Sequence, residues 1–162
     1  MVDTIVPPVT TDRAAAYAEL FPQVQALLEG ETDVIAAMSN TAAALFQSFG
    51  HHWIGFYRVM GDELVLGPCQ GPVACARIGL GKGVCGTAWK EQRTIIVPDV
   101  DRFPGHIACS ALSRSEIVVP LRGRSGAIAA VLDIDSTELD AFRAVDADGL
   151  GQLVGLIEPL LA

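Results

Sequence analysis

The sequence predicts an α+β sandwich, an antiparallel sheet with helices covering one face. Three observations carry that prediction. Apolar residues recur at helical intervals near both ends of the chain, while the middle holds runs rich in aromatic and β-branched residues. Those runs come in two pairs, each joined by a short polar turn, GDE in one and RGRSG in the other, which closes a hairpin rather than a crossover. Between the hairpins lies a stretch broken by glycine and proline that holds three of the cysteines, with Cys69 at its border.

The elements follow in order. Residues 1–10 read as an extended lead-in, because Pro7 and Pro8 block helix, and residues 11–162 as a single domain. A first helix follows Thr11, with Tyr17, Leu20, Phe21, Val24, Leu27 and Leu28 at helical spacing and Gly30 as its stop; Pro22 predicts a break or kink inside it. A second helix runs from about Thr32 to Phe49 and ends at Gly50. The run HHWIGFYRVMGDELVLGPC gives hairpin strands near 52–60 and 63–69. The next segment, GPVACARIGLGKGVCGTAWKEQ, begins extended or loop-like, is broken by five glycines and becomes a short helix over Val84–Lys90. RTIIVPDV is a short strand, and DRFPGHIACSALSRS a long loop with room for one helical turn. EIVVPLRGRSGAIAAVLDIDS is the second hairpin, with strands near 116–122 and 125–134. From Leu139 to Leu161, Phe142, Val145, Leu150, Leu153, Val154 and Ile157 mark a closing helix that packs on the sheet.

Composition narrows the function. A chain that is 51% hydrophobic and 19% charged builds a compact core without disulfide staples. The net charge of −8 argues against nonspecific binding to nucleic acid or to anionic membrane. MVDTIVPPVTTDR lacks the apolar stretch of a secretory signal, and no apolar run is long enough to span a bilayer. The expected location is therefore the cytosol, where thiols stay reduced. The four cysteines, Cys69, Cys75, Cys85 and Cys109, contain no C-x-x-C pair, so no metal site is expected. GLGKGVCG does not have the phosphate-loop spacing and is read as flexible turns bordering a pocket.

The stretch FPGHIACS is where chemistry concentrates. Cys109 follows a Pro-Gly turn, and a helical turn starting there, or His106 three residues before it, would favour its thiolate. Residue types alone leave Cys109 either an inert small hydrophobe or a nucleophile. Asp133 and Asp135, two apart on one strand, face the same way, and Glu116 opens the strand before them. These acids are either solvated strand ends or carboxyls held for a ligand. Trp53 and Tyr57, four apart, also share a face, as packing residues or as pocket wall.

The blocks HHWIGFYRV, GPCQGPVACARIGLGKGVCGTAW, VPDVDRFPGHIACSALSRSEIVVPL and AAVLDIDS, in that order and spacing, strongly resemble the GAF-domain free methionine-(R)-sulfoxide reductases. The resemblance covers over half the chain, and the predicted element order suits a GAF-like fold, with its end helices on one face of the sheet and its active-site loops on the other. It implies reduction of the R sulfoxide of free methionine, with Cys109 as the catalytic cysteine, Cys75 as the resolving cysteine and Cys85 as a further thiol able to pair. It carries over Glu116, Asp133 and Asp135 as substrate-site carboxyls; we assign Glu116 and Asp135 to the sulfoxide end and Asp133 to support or ammonium binding. Trp53 is set against the substrate methyl group and Tyr57 at the pocket wall. It also implies thioredoxin as external reductant, no bound cofactor and a homodimer.

Two positions depart from the pattern: Cys69 stands where the resemblance leads one to expect Phe, and Ser110 where it leads one to expect Asp. The competing readings are a GAF module that senses a small ligand and a thiol-based redox regulator. Neither a sensor's pocket nor its signalling needs the set of Cys75, Cys85 and Cys109.

Overall fold

The computed structural model describes residues 4–162. The start of the expected lead-in, residues 1–3, lies outside the described residues. Residues 4–10 carry neither helix nor strand, and Ile5 is buried in the main core.

Two helices come first. Helix α1 spans Arg13–Leu27, and Asp12 caps it by accepting from Ala14 N at 2.9 Å and Ala15 N at 3.3 Å. Helix α2 spans Val34–Phe49, capped by Asp33 and ended by Gly50 in a left-handed conformation. Of the break or kink expected at Pro22, the break is absent, since α1 runs through it. Pro22 and Ala18, whose carbonyl loses its helical partner there, are both exposed, so water replaces the missing bond.

Strands β1 (Trp53–Met60) and β2 (Glu63–Gln70) form the first hairpin. Strand β3 (Arg77–Gly79) falls in the segment expected to be extended or loop-like; it pairs with Glu63–Val65, and three residues are too few to show alternation in the sequence. Helix α3 (Gly83–Glu91) and strand β4 (Ile95–Val97) follow. Strands β5 (Ser115–Arg122) and β6 (Ile128–Ser136) form the second hairpin. Its turn is wider than expected, because Gly123 N donates to Ala127 O at 2.8 Å and keeps residues 123–127 out of the ladder.

The closing helix α4 is shorter than its apolar pattern, Ala144–Gly155, with a 3₁₀ turn at Glu158–Leu160. Residues before it are held by tertiary bonds instead: Asp140 N donates to Pro98 O at 2.8 Å and Ala141 N to Ser115 Oγ at 3.2 Å. Asp146 then starts the helix by accepting from Arg143 N at 2.8 Å.

The six strands run β3-β2-β1-β6-β5-β4, with every neighbouring pair antiparallel. Side chains alternate between the two faces. Ile54, Phe56, Ile117, Val119, Leu132 and Ile134 pack against Leu20, Val24, Met38, Leu45, Leu150 and Leu153 of α1, α2 and α4. Each of these twelve is buried, and burying such side chains stabilises a fold by about 1.5–3 kcal/mol apiece before conformational entropy is set against it. The opposite face carries Trp53, Tyr57, Val118 and Val131, which pack with α3 through Val84, Cys85 and Ala88. The helices at the chain ends thus cover one face, and α3 with the long loops covers the other.

Candidate active site

The register of the sheet assembles the site. Asp135 on β6 stands opposite Trp53 on β1 and opposite Glu116 on β5, so these three form one row. The next row on the same face runs Val118, Asp133, Gly55 and Cys69. Gly55 is required by close approach, since a Cβ there would collide with the Trp53 ring and with Cys69. The ring therefore lies over Gly55, stacked against Tyr57 with centroids 5.9 Å apart.

Two loops close over these rows. Residues 71–76 are tied down by the aromatic pair: Trp53 Nε1 donates to Pro72 O at 3.1 Å and the Tyr57 hydroxyl to Cys75 O at 2.9 Å. The second loop is pinned at its base, where Val100 N donates to Arg114 O and Arg114 N donates to Ser136 O. Its FPGH segment is a turn closed by His106 N donating to Phe103 O at 3.1 Å; Pro104 sets the entry, and Gly105 takes the positive φ of 73° that the turn demands.

The expected helical turn is not at Cys109. It lies earlier, at Val100–Arg102, and Cys109 N is occupied by Ile107 O at 3.0 Å, so Cys109 does not itself begin a helix.

Cys75 and Cys109 are joined in a disulfide with Cα atoms 5.5 Å apart. Beneath it a small pocket is walled by Trp53, Tyr57 and the start of α3, with Glu116, Asp133 and Asp135 on its floor. Cys85 and Cys109 line the same pocket. The eight residues that the resemblance assigns to the site, Cys75 through its bond to Cys109, therefore meet at one place.

Burial governs the electrostatics. Glu116 and Asp133 are 5% and 7% exposed. Burial, then the charge of Asp135, pushes the Glu116 carboxyl up to about 8. Burial, then the charge of Asp133, pushes Asp135 to about 8, against the opposing influence of Ser113 and His106. Burial and Glu116 push Asp133 well above the usual carboxylate range. Burial, then Asp133 and Glu116, raise the Cys85 thiol, so Cys85 is a neutral thiol in this state. His106 Nε2 lies 3.5 Å from Glu116 Oε2.

Sequence reasoning missed His52, Ser113 and Lys82. His52 Nε2 pairs with Ser110 Oγ at 3.0 Å, linking the start of β1 to the loop that carries Cys109. Ser113 is buried beside Asp135, and Lys82 lines the mouth. The only hint in the sequence is that His52 adjoins Trp53. Cys69, one of two free thiols, sits on β2 outside the pocket lining.

An antiparallel six-stranded sheet with helices on one face and a thiol–carboxyl pocket on the other is a GAF domain, and the GAF domain family model matches residues 29–162. GAF domain-containing protein A of Dictyostelium discoideum is 52% identical over 143 residues, covering 88% of this chain and 90% of that protein. The free methionine-R-sulfoxide reductase of Escherichia coli is 48% identical over 147 residues, covering 90% of this chain and 88% of that protein. The X-ray structure of the free methionine-R-sulfoxide reductase of Neisseria meningitidis, in complex with its substrate, superposes with a TM-score of 0.92 at 49% identity, covering 97% of this chain and 95% of that one. The chain belongs to the free methionine-R-sulfoxide reductase family of GAF domains.

Proposed function

We propose that the protein reduces free methionine-(R)-S-oxide to methionine with the Cys109 thiolate. The observation that carries this reading is the Cys75–Cys109 disulfide above a floor of buried carboxyls. The disulfide is what such a cycle leaves behind. In the reduced protein Cys109 attacks the sulfoxide sulfur while a floor carboxyl, Glu116 or Asp135, protonates the oxygen. Methionine leaves and Cys109 becomes a sulfenic acid. Cys75 condenses with it, releasing water and forming the disulfide. An external dithiol takes the oxidation in exchange, and thioredoxin fits that role.

The pocket suits a free amino acid. The Trp53 ring offers a face to the S-methyl group. Asp133 Oδ1 is buried with no partner and suits the substrate ammonium. The first N–H groups of α3, which has no side-chain cap, suit the substrate carboxylate. A cytosolic setting supplies the reducing partner, and a homodimer is the assembly this reading expects.

Racemic free methionine sulfoxide with thioredoxin, thioredoxin reductase and NADPH tests it. Selective loss of the R form with matching NADPH consumption is expected. A fully reduced protein that turns over neither isomer would overturn the reading.

A further inference from the structure

We propose that the floor of this pocket is also a binding site for a divalent transition-metal ion of the zinc class, held by Cys85, Glu116 and Asp133. One donor atom from each, brought by α3, β5 and β6, lies within 4.8 Å of the others. All three residues are more than nine-tenths buried. Asp133 Oδ1 accepts no hydrogen bond, although it is buried. An unpartnered buried carboxyl oxygen beside a second carboxyl and a thiol is a costly arrangement, and a cation bound there relieves it.

The donor set selects the ion. One sulfur and two oxygens disfavour Mg²⁺ and Ca²⁺, which take oxygen shells of six or more, and suit Zn²⁺ or Co²⁺. Tetrahedral bond lengths near 2.0–2.3 Å place donors about 3.3–3.5 Å apart, so small side-chain rotations close the set. His106 Nε2 lies 3.5 Å from Glu116 Oε2 but is not within reach of all three donors, so water completes the shell. Binding displaces the Cys85 thiol proton, and the protons held by the Glu116 and Asp133 carboxyls, to solvent. Cysteine spacing gives no sign of such a site, because its donors come from three separate elements.

The site does not depend on the reductase reading. Its consequence does: an ion there occupies the floor proposed for the substrate and shuts substrate out.

The experiment uses the full chain with the Cys75–Cys109 disulfide intact, which removes those sulfurs as ligands, and titrates it with CoCl₂. The expected result is one Co²⁺ per chain with a thiolate-to-cobalt charge-transfer band, bleached when ZnCl₂ is added. Cys85→Ser abolishes the band and Cys69→Ser keeps it. Asp133→Asn, which retains the thiol, weakens binding by about tenfold or more, as expected for loss of one of three protein ligands. Absence of a band in the unmodified protein, a band that survives Cys85→Ser, or affinity unchanged by Asp133→Asn would each overturn the proposal.

Discussion

Tyr57 donates its hydroxyl to the backbone carbonyl of Cys75 at 2.9 Å. A rigid residue of β1 thus holds the loop that carries the partner of Cys109. Burial, then the nearby Asp133, raises the phenol and keeps it protonated as a donor. In Tyr57→Phe the ring still walls the pocket but the tether is gone. Losing one such bond is worth about 1 kcal/mol, or roughly fivefold. That loss should fall on disulfide formation more than on the first release of methionine. Trapping the Cys109 sulfenic acid with a dimedone probe in single-turnover reactions checks it; equal trapping in variant and parent counts against the tether.

The roles of the two sulfurs separate in the same assay. Cys109→Ser should release no methionine. Cys75→Ser should release about one methionine per chain and then stop, because the sulfenic acid finds no resolving thiol. In Cys75→Ser, loss of the Cys109 sulfenic acid together with one further thiol, with no second methionine, would point to Cys85 or Cys69 as an alternative partner.

Much of the fold was legible because its signals are local. The stops at Gly30 and Gly50, the GDE turn and the alternation in AVLDID all lie within a few residues of what they determine. The misses have tertiary causes. Strand β3 exists because β2 offers it an edge, and residues 139–143 leave the helical pattern because Pro98 and Ser115 bond them. The candidate site was legible through its resemblance to a family and not through spacing. Glu116, Asp135 and Trp53 form a row only once β1 and β5 flank β6, and Cys75 meets Cys109 only once two loops fold over that row. His52 escaped notice because its partner is Ser110, a residue first noted as a departure.

Ser110 connects two parts of the site. Its Oγ pairs with His52 Nε2 at 3.0 Å and accepts from Leu112 N at 3.2 Å. Ser110→Ala loses both and should lower the rate several-fold, through looser placement of Cys109, each lost bond weighing about 1 kcal/mol. Ser110→Asp supplies acceptors for both partners and should stay near the parent rate. If both variants match the parent, the His52–Ser110 link does not position Cys109. Steady-state rates with the free sulfoxide distinguish these outcomes.

His51 should make the protein acid-sensitive. Its ring lies against Phe142, with centroids 4.9 Å apart, and near Phe49. Burial, then the positive charge of Arg13, lowers its pKa from 6.5 to about 4. Between those values the unfolded chain binds a proton that the folded chain refuses. Stability is therefore full above the unfolded value and falls as the pH drops toward the folded one. The ceiling on this loss is about 3 kcal/mol. Thermal melts of His51→Phe should lose less than the parent on going from neutral to acid pH; parallel curves would exonerate His51.

Glu116 carries opposite demands from chemistry and stability. It shares a row with Asp135, and both are held above their ordinary range by burial and then by a negative neighbour, Asp135 for Glu116 and Asp133 for Asp135. Removing the acid by Glu116→Gln should slow methionine release in a single turnover by orders of magnitude, since positioned proton transfer contributes about 10²–10⁴-fold. The stability effect has the other sign. Glu116 titrates near 8 in the folded chain against an ordinary 4.5, so over that window the folded state holds the proton and the unfolded state releases it. Rising pH across the window therefore costs the parent stability, and the Gln variant escapes that loss. The variant should melt higher than the parent at the alkaline end while being nearly inactive. A variant that is inactive and also less stable at alkaline pH would mean that Glu116 is a structural anchor, and that its position beside the pocket reflects packing rather than catalysis.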